Sequence, residues 1–361
     1  MSKILVTTCL FALGGMRVKI EEYAVMKELV KEVNISYGDL VKILIAPIRS
    51  KLLLTGVKLK VFNQLSEPKS AEAVAKIIGT HLRNTKLFLD GLTAIDLLQK
   101  ENEFYRNSPI AQAFLVEGNP TYLGNLCLKI RDDPVLENLL ELVRDGPPPI
   151  PETTFSGELS ARYADIWVST ERAGDAQLVV RIVSELPEFA SFRNMLDLGG
   201  GPGIIGMAIV AAHPRLKGVV FDLPPVVKVA EDFIKKYKME DRMDVLGGDF
   251  NCDSIGEKYD FVLACSCLQF ARDLDSVVKK IYDALNPGGV FASFFGFGLT
   301  CERTKPEFAV LSMLATALLG QDVGVKQGFI ADSMLRVGFK SVHSQLLDTP
   351  WGPWELDIAR K

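Results

Sequence analysis

The sequence has 361 residues, of which 48% are hydrophobic and 24% charged, and it includes 20 Phe. This composition excludes a disordered chain, and the length predicts two domains. The formal net charge is −4, with +2 in residues 1–150 and −6 in the remainder. A large nucleic-acid-binding surface needs clustered positive charge, so we expect no nucleic-acid partner for either half.

The six Cys and three His have no spacing typical of a metal site. No C-x-x-C pair occurs, and only Cys265 and Cys267 are close in sequence. We therefore predict a reduced, cytoplasmic protein without a bound metal. No apolar run is long enough to span a membrane, although Ile4–Gly15 resembles the core of a short signal peptide. The alternatives for this segment are an N-terminal strand or helix, or a natural start at Met16.

The first half of the sequence is predicted to be helical, because apolar residues recur at spacings of three and four. Ser70 and Thr80 have side chains suited to capping the helices that follow them. The predicted helices are Tyr23–Val33, Leu40–Phe62, Val57–Leu65, Ser70–Ile78 and Thr80–Leu97, and a hairpin is predicted over Leu98–Asn107. Three small helices and a hairpin form a winged-helix unit, whose near-neutral charge favours dimerisation over DNA binding.

A proline-rich stretch, Arg144–Glu152, separates the two halves, because consecutive prolines continue neither a helix nor a sheet. A helical segment from Gly157 to Leu186 follows it. We therefore divide the chain into a helical domain at 1–150, a linker and connecting helix at 151–190, and a second domain at 191–361.

Strands and helices alternate in the second half. The predicted strands are Met195–Leu198, Val219–Asp222, Met243–Leu246, Phe261–Cys265 and Gly289–Phe295, and the predicted helices are Gly203–Ala212, Pro225–Tyr237 and Leu274–Leu285. This alternation predicts an α/β domain with a parallel sheet covered on both faces. Phe339–Leu347 and Trp354–Ala359 are predicted to add an antiparallel pair at the sheet edge.

The segment 195–206 is the most informative for chemistry. A buried strand ends at Leu198, glycines follow, and a helix begins near Gly203. Glycines permit a sharp turn and a close approach to a ligand, and the helix N-terminus offers free N–H groups. From Gly201 the loop also fits G-x-G-x-x-G, with Asp222 21 residues further on. That pattern is the NAD fingerprint, and taken alone it is a weak signal.

Acidic residues at two positions favour S-adenosylmethionine (SAM) over NAD. Asp197 precedes the glycines, where a carboxylate can orient the amino-acid end of SAM through the loop but would repel a pyrophosphate. Asp249 is placed to accept a hydrogen bond from the adenine amino group, and Phe250 to stack on the ring. Asp222 is placed to hold the ribose hydroxyls, as acidic residues do in both cofactor classes.

Several motifs together resemble the plant-type O-methyltransferases, their bacterial and archaeal relatives and the acetylserotonin methyltransferases. In the second half these motifs are Leu196–Gly203, Phe221–Pro224, Gly248–Phe250 and Leu285–Gly289. In the first half, Val61–Leu65, Ala71–Gly79 and Tyr105–Ser108 resemble the winged-helix dimerisation domain of the same family. The resemblance covers residues 40–361.

The resemblance implies a Rossmann-like SAM-dependent methyltransferase domain preceded by a mostly α-helical winged-helix dimerisation domain. It also implies a homodimer formed through the N-terminal domain, and a pocket for a small-molecule acceptor that is covered by a helix at Phe308–Leu319 and by the helices before Asn194. The residues expected to bind SAM are Asp197, Gly199, Gly200, Gly201, Gly203, Asp222, Leu223, Gly248, Asp249, Phe250 and Cys265.

Gln269 marks the point where the resemblance fails. The family's general base is a His in a Leu-His-Asp-Trp-like motif, and in this sequence Gln269 stands at the His position. An amide cannot accept a proton at neutral pH, whereas general base catalysis contributes about 10²–10⁴-fold. We therefore predict that Gln269 orients an acceptor that is already nucleophilic, such as a thiolate, an amine or an acidic phenol.

Three alternatives remain open at this point. A non-catalytic or repurposed SAM-binding protein would also explain the missing His. An NAD-dependent oxidoreductase would share the glycine loop, and a transcriptional regulator would need more basic residues than Lys76 in its recognition helix. Cys265 and Cys267, two residues apart, are expected to face the same side of a strand end near the transferred methyl group, where a packing role is favoured over a catalytic or ligand-binding one.

Overall fold

The structure is a computed structural model that describes residues 35–131, 137–147, 157–320, 322 and 324–361. Within the described residues, two units are distinguished, with the division between residues 51 and 52. The predicted helix Tyr23–Val33, the signal-like segment Ile4–Gly15 and part of the proline-rich stretch lie outside the described residues. Within the described part of the chain, no helix is both long and apolar enough to cross a membrane.

The N-terminal domain consists of short helices and a small three-stranded sheet. Its elements are α1 (Gly38–Lys58), α2 (Val61–Gln64), β1 (Lys69–Ser70), α3 (Ala71–Ile78), α4 (Leu82–Ala94), β2 (Leu98–Glu101), β3 (Phe104–Asn107), α5 (Pro109–Phe114), α6 (Gly124–Arg131) and α7 (Leu139–Asp145). β2 and β3 form an antiparallel hairpin, and β1 pairs with β3. The predicted winged-helix unit is confirmed.

Two helix boundaries differ from the sequence prediction. The helix predicted over Val57–Leu65 is interrupted at Lys60, whose φ of 51° places it in the left-handed region. The predicted cap Thr80 is wrong, because the helix begins at Leu82 and the His81 side chain accepts the N–H of Asn84. Ser70 caps α3 as predicted, accepting from the N–H of Ala73.

A long helical segment leads into the second domain. It comprises α8 (Gly157–Thr170), a π-helical turn (Glu171–Asp175) and α9 (Ala176–Ser184). The sequence predicted one continuous helix to Leu186. The turn contains Gly174, whose φ of 165° and ψ of −28° are not helical, so the segment is kinked there. The turn packs against the helix that follows the glycine loop.

The second domain is built on one seven-stranded sheet. Its strands are β4 (Asn194–Leu198), β5 (Lys217–Asp222), β6 (Met243–Gly247), β7 (Tyr259–Cys265), β8 (Leu285–Phe295), β11 (Ser341–Thr349) and β12 (Gly352–Arg360). The order across the sheet is β11-β12-β8-β7-β4-β5-β6. β4 to β8 are parallel, and β11 and β12 form the antiparallel pair predicted for the edge.

Helices and two further short strands complete this domain. They are α10 (Ile204–Ala212), α11 (Pro224–Lys236), α12 (Leu274–Ala284), β9 (Gly298–Leu299), α13 (Glu307–Leu318), β10 (Val325–Lys326) and α14 (Phe329–Val337). Apolar side chains fill a separate core on each face of the sheet. The predicted Rossmann-like α/β fold is confirmed. The strand order reverses between β4 and β7, so a crevice is expected at their carboxyl ends, where such sheets bind ligands.

Candidate active site

The glycine loop connects β4 to α10 at the carboxyl edge of the sheet. Gly199, Gly201 and Gly203 have φ angles of 63°, 55° and 76°, in the left-handed region that side-chain-bearing residues rarely occupy. The N–H groups of Gly199 and Gly200 donate to the carbonyl of Phe221, at 2.7 and 3.2 Å. These bonds fix the loop across the ends of β4 and β5.

The inner side of the loop has no room for side chains. A Cβ at Gly200 would lie 2.6 Å from Cγ of Asp197, and one at Gly206 would lie 2.5 Å from the Oδ2 atom of the same residue. A Cβ at Gly201 would lie 3.4 Å from the ring of Trp167. The glycines therefore let the loop pack closely on β4 and bring Trp167 against its outer side.

Asp197 lies beneath the loop, with only 1% of its surface exposed. Its Oδ2 atom accepts the N–H of Gly206 at 3.0 Å, in the first turn of α10. Burial raises the pKa of Asp197 to about 7, although the hydrogen bond from Gly206 acts in the opposite direction. Asp197 thus holds the start of α10 in place. Because the glycine loop covers it, Asp197 can affect a bound ligand only by positioning the loop.

Asp222 ends β5 and faces the same loop. Its Oδ2 atom accepts the N–H of Gly201 at 2.9 Å, and its Oδ1 atom accepts the N–H of Leu223 at 2.7 Å. Burial raises its pKa, and these two hydrogen bonds oppose the rise. A carboxylate has about four acceptor sites, so two remain for the hydroxyl groups of a ligand.

The segment Gly248–Phe250 follows β6, the next strand of the sheet. The N–H of Gly248 donates to the carbonyl of Asp222 at 3.0 Å, which joins this segment to the end of β5. The Oδ1 atom of Asp249 accepts from the backbone and side-chain amides of Asn251, both at 2.9 Å, and Oδ2 lies 3.3 Å from Nη2 of Arg272. Contact of Asp249 and Phe250 with an adenine stays a prediction.

Cys265 and Cys267 do not face the same side, so that expectation is wrong. Cys265 ends β7 and packs against the core on one face of the sheet, whereas Cys267 belongs to the core on the other face. Ser266 between them has a φ of 50°, so the alternation of an extended strand ends there. The Cys267 thiol donates to the carbonyl of Leu198 at 3.1 Å, and burial raises the pKa of both thiols.

Gln269 lies in a short 3₁₀ turn, Leu268–Phe270, beyond the end of β7. Its Nε2 atom donates to the carbonyl of Ser266 at 2.7 Å. Its Oε1 atom is buried and has no hydrogen-bond partner among the described residues. The amide is therefore held in one orientation, with its oxygen available to a donor on a ligand.

Two acidic residues of the π-helical turn were missed at the sequence level. Glu171 has a half-buried side chain whose Oε2 atom is inaccessible to solvent, and burial raises its pKa well above the ordinary value, with a further rise from the nearby Asp197 and Asp175 carboxylates. Asp175 is partly buried, and the hydrogen bonds that it accepts come from Trp351 and Thr170. The only available signal was the spacing of four between Glu171 and Asp175, which also fits an exposed helix face.

We expect the titration of Asp175 to affect stability. Burial raises its pKa to about 6, and the hydrogen bonds from Trp351 and Thr170 only partly offset this. An unfolded Asp ionises near pH ~4, so the free energy of unfolding falls as pH rises from about 4 to 6. Asp175→Asn removes this titration. The variant should match the wild type in urea denaturation at pH 4 and exceed its stability by about 1–2 kcal/mol at pH 7.5.

Asp275→Asn is the control, because the pKa shift of Asp275 has the opposite sign. Hydrogen bonds from Arg336 and Ser333 lower the pKa of Asp275 to about 2. Its contribution is present above pH ~4 and lost toward pH ~2, so this variant should be the less stable one at pH 7.5. An Asp175→Asn variant with the wild-type difference between pH 4 and 7.5 would contradict the prediction.

A separate cavity of about 810 Å³ lies at the opposite edge of the sheet. It is lined by the amino ends of β4 to β7, and charged side chains such as Lys217, Glu231 and Arg242 surround it. None of the residues of the glycine loop, β7 end or π-helical turn contributes to it. It is therefore distinct from the candidate active site.

Two family models match the chain. One describes an O-methyltransferase domain and matches residues 154–294, and the other describes an O-methyltransferase dimerisation domain and matches residues 41–117. The N,N-dimethyltransferase OxyT of Streptomyces rimosus is 31% identical over 323 residues, which cover 85% of this chain and 91% of OxyT. The tetracenomycin polyketide synthesis 8-O-methyltransferase TcmO of Streptomyces glaucescens is 28% identical over 260 residues, covering 70% of this chain and 76% of TcmO.

Solved structures share the same fold. Human N-acetylserotonin methyltransferase, crystallised in complex with SAM, superimposes with a TM-score of 0.72 at 22% identity, covering 92% of this chain and 99% of that protein. At this identity the likeness concerns the fold alone.

Proposed function

The chain belongs to the family of SAM-dependent O-methyltransferases with a dimerisation domain, and from this premise we propose that it methylates a small acceptor without a histidine base. The acceptor atom is an oxygen, sulfur or nitrogen atom of an aromatic or hydrophobic molecule. The observation that carries the proposal is the fixed amide of Gln269, which presents a buried, unpartnered oxygen where the family has its base.

The residues of the carboxyl edge fit the cofactor. The glycine loop turns sharply at the carboxyl end of β4, where its backbone can approach a ligand closely, and Asp222 keeps two acceptor sites for ribose hydroxyls. The N–H of Gly248 donates to the carbonyl of Asp222 at the end of β5, which supports the proposed contact of Asp249 and Phe250 with the adenine. When bound, SAM supplies a methyl group on a positively charged sulfur. Leu223 and Cys265 complete the proposed cofactor-binding set.

Gln269 positions the acceptor rather than deprotonating it. Its oxygen can accept a hydrogen bond from an N–H, O–H or S–H group of the acceptor, but it cannot remove the proton. Correct placement of the nucleophile for in-line attack supplies the main rate enhancement, and proximity effects of this kind reach about 7–11 kcal/mol. A neutral amine fits this oxygen directly, because it can donate an N–H and attack with its lone pair, whereas a thiolate or phenolate has no hydrogen to donate to it. The relatives include both O- and N-methyltransferases by name.

The N-terminal domain is proposed to form the homodimer. The matched dimerisation domain includes α1, whose described side chains in residues 35–51 are strongly exposed. Leu40, Ile43, Leu44 and Ile48 are apolar residues with 57–69% of their surface exposed. A continuous apolar surface of this kind favours association with another chain.

Replacement of Gln269 tests the proposed function. Gln269→Leu keeps the approximate volume but removes the hydrogen-bond acceptor, so kcat/KM for transfer of labelled methyl from SAM should fall about 10-fold. Calorimetry should give an unchanged Kd for S-adenosylhomocysteine (SAH), because Gln269 lies on the acceptor side. A panel of thiols, amines and acidic phenols supplies the acceptors.

Gln177→Leu is the matched control, since Gln177 also donates its amide to a backbone carbonyl but lies exposed on α9. This variant should retain wild-type transfer. Equal kcat/KM for Gln269→Leu and the wild type would contradict the positioning role. Tight SAH binding without transfer to any acceptor of the panel would instead favour a non-catalytic SAM-binding protein.

A further inference from the structure

Glu171 has a buried oxygen atom that nothing in the described chain satisfies. It is the first residue of the π-helical turn between α8 and α9. Its Oε2 atom is inaccessible to solvent and has no hydrogen-bond partner among the described residues. Burial of a carboxyl oxygen without a hydrogen bond is costly, so such an atom calls for a donor that arrives with a ligand.

The surroundings of Glu171 belong to the cofactor side of the crevice. The π-helical turn packs against α10, the helix that begins at the glycine loop. Asp197 at the end of β4 is close enough for its charge to act on Glu171, and Glu171 in turn acts on the Cys265 thiol at the end of β7. β4 and β7 are neighbours in the sheet. Glu171 therefore lies near the carboxyl ends of the two strands that flank the crevice.

This part of the crevice is acidic and lacks a matching cation. Glu171, Asp175 and Asp197 lie close together, and no ion pair to any of them occurs within the described residues. Buried carboxylates are normally paired with a cation or a hydrogen-bond donor. A ligand group that carries both a positive charge and N–H donors would satisfy this arrangement best.

SAM carries two positively charged groups, the sulfonium and the α-ammonium group, and only one of them can donate a hydrogen bond. The sulfonium has no hydrogen on sulfur and cannot donate to Oε2, whereas the α-ammonium has three N–H donors. We propose that Glu171 binds the α-ammonium group of the amino-acid moiety of SAM. This inference rests on the proposed function, because it requires the cofactor to lie against the glycine loop.

Calorimetric titration with two ligands tests the inference. SAH carries the α-ammonium group, whereas 5′-methylthioadenosine has the same adenosine and thioether but no amino-acid moiety. Glu171→Gln should weaken SAH binding about 10- to 100-fold, because it replaces a charged hydrogen bond with a neutral one. The affinity for 5′-methylthioadenosine should stay within twofold of the wild type. SAM should lose affinity by the same factor as SAH, since both carry the ammonium group.

Glu185→Gln removes the same charge from an exposed position at the end of α9 and should leave all three affinities unchanged. Thermal unfolding should show that Glu171→Gln is folded and at least as stable as the wild type, because it removes a buried, unpaired carboxyl group. Wild-type SAH affinity in Glu171→Gln would overturn the inference, as would loss of 5′-methylthioadenosine binding or weakening of SAM alone. If the wild type bound none of the three ligands, the proposed function itself would fail.

Discussion

Replacement of Asp222 by Ala is expected to lower the affinity for SAH about 100-fold. The carboxylate of Asp222 accepts the N–H of Gly201 at 2.9 Å and that of Leu223 at 2.7 Å, and we propose that its remaining acceptor sites hold the ribose hydroxyls. Loss of hydrogen bonds from ligand hydroxyls to a charged acceptor costs about 1.5–3 kcal/mol each. Release of Gly201 adds disorder to the loop. Isothermal titration calorimetry measures the change directly.

Asp260→Ala separates this effect from a general loss of stability. Asp260 also accepts two backbone N–H groups, those of Arg193 and Asn194, at 2.8 and 3.0 Å. It precedes Phe261 in β7 and serves the opposite edge of the sheet, where β4 begins. Both variants should lose thermal stability, but only Asp222→Ala should lose SAH affinity. Similar SAH affinities for the two variants would argue against the placement of the ribose at Asp222.

Replacement of Gly199 by Ala is expected to destabilise the protein by about 3 kcal/mol or more and to abolish cofactor binding. Gly199 has a φ of 63°, and an added Cβ would lie 2.8 Å from Sγ of Cys267. The substitution therefore combines an unfavourable backbone conformation with a close contact to the Cys267 side chain, just beyond the end of β7. We expect the loop to shift away from β7, which breaks its hydrogen bonds to the end of β5 and displaces the backbone proposed to contact the cofactor. Differential scanning calorimetry and SAH titration measure the two effects.

Gly288→Ala isolates the backbone contribution. Gly288 has a φ of 77°, but a Cβ there would meet no atom within 4 Å. This variant should lose only about 1 kcal/mol and keep wild-type SAH affinity. Equal destabilisation by the two substitutions would show that contact with Cys267 adds nothing, and our description of the loop packing would then be wrong.

The glycine loop and the strand ends were predictable from sequence because their constraints are local. A turn with positive φ angles favours glycine. An acidic residue at the carboxyl end of β5 lies beside the crevice, because open α/β sheets bind ligands at the carboxyl ends of their strands. The structure accordingly brings the loop, Asp222 and Gly248 into direct hydrogen-bond contact. The alternation of apolar strands with amphipathic helices similarly determined the α/β domain.

The acidic residues of the π-helical turn were not predictable, because their role depends on tertiary packing. Glu171 and Asp175 precede the sheet in sequence, and the helical segment that carries them is kinked at Gly174, which the apolar periodicity does not predict. The two cysteines show the same limit on a smaller scale. The two-residue periodicity of a strand predicted that both cysteines face the same side of the sheet. The positive φ of Ser266 ends the strand between them, so they face opposite sides.

Calorimetric titration of the wild-type protein with SAM, SAH and NAD tests the central claim most directly. The proposed site predicts saturable binding of both adenosyl ligands in the micromolar range, with no heat from NAD. The glycine loop, Asp222 and the segment after β6 would then serve a methyl-transfer cofactor. Binding of NAD in place of SAM and SAH would contradict the account and assign the loop to a dinucleotide.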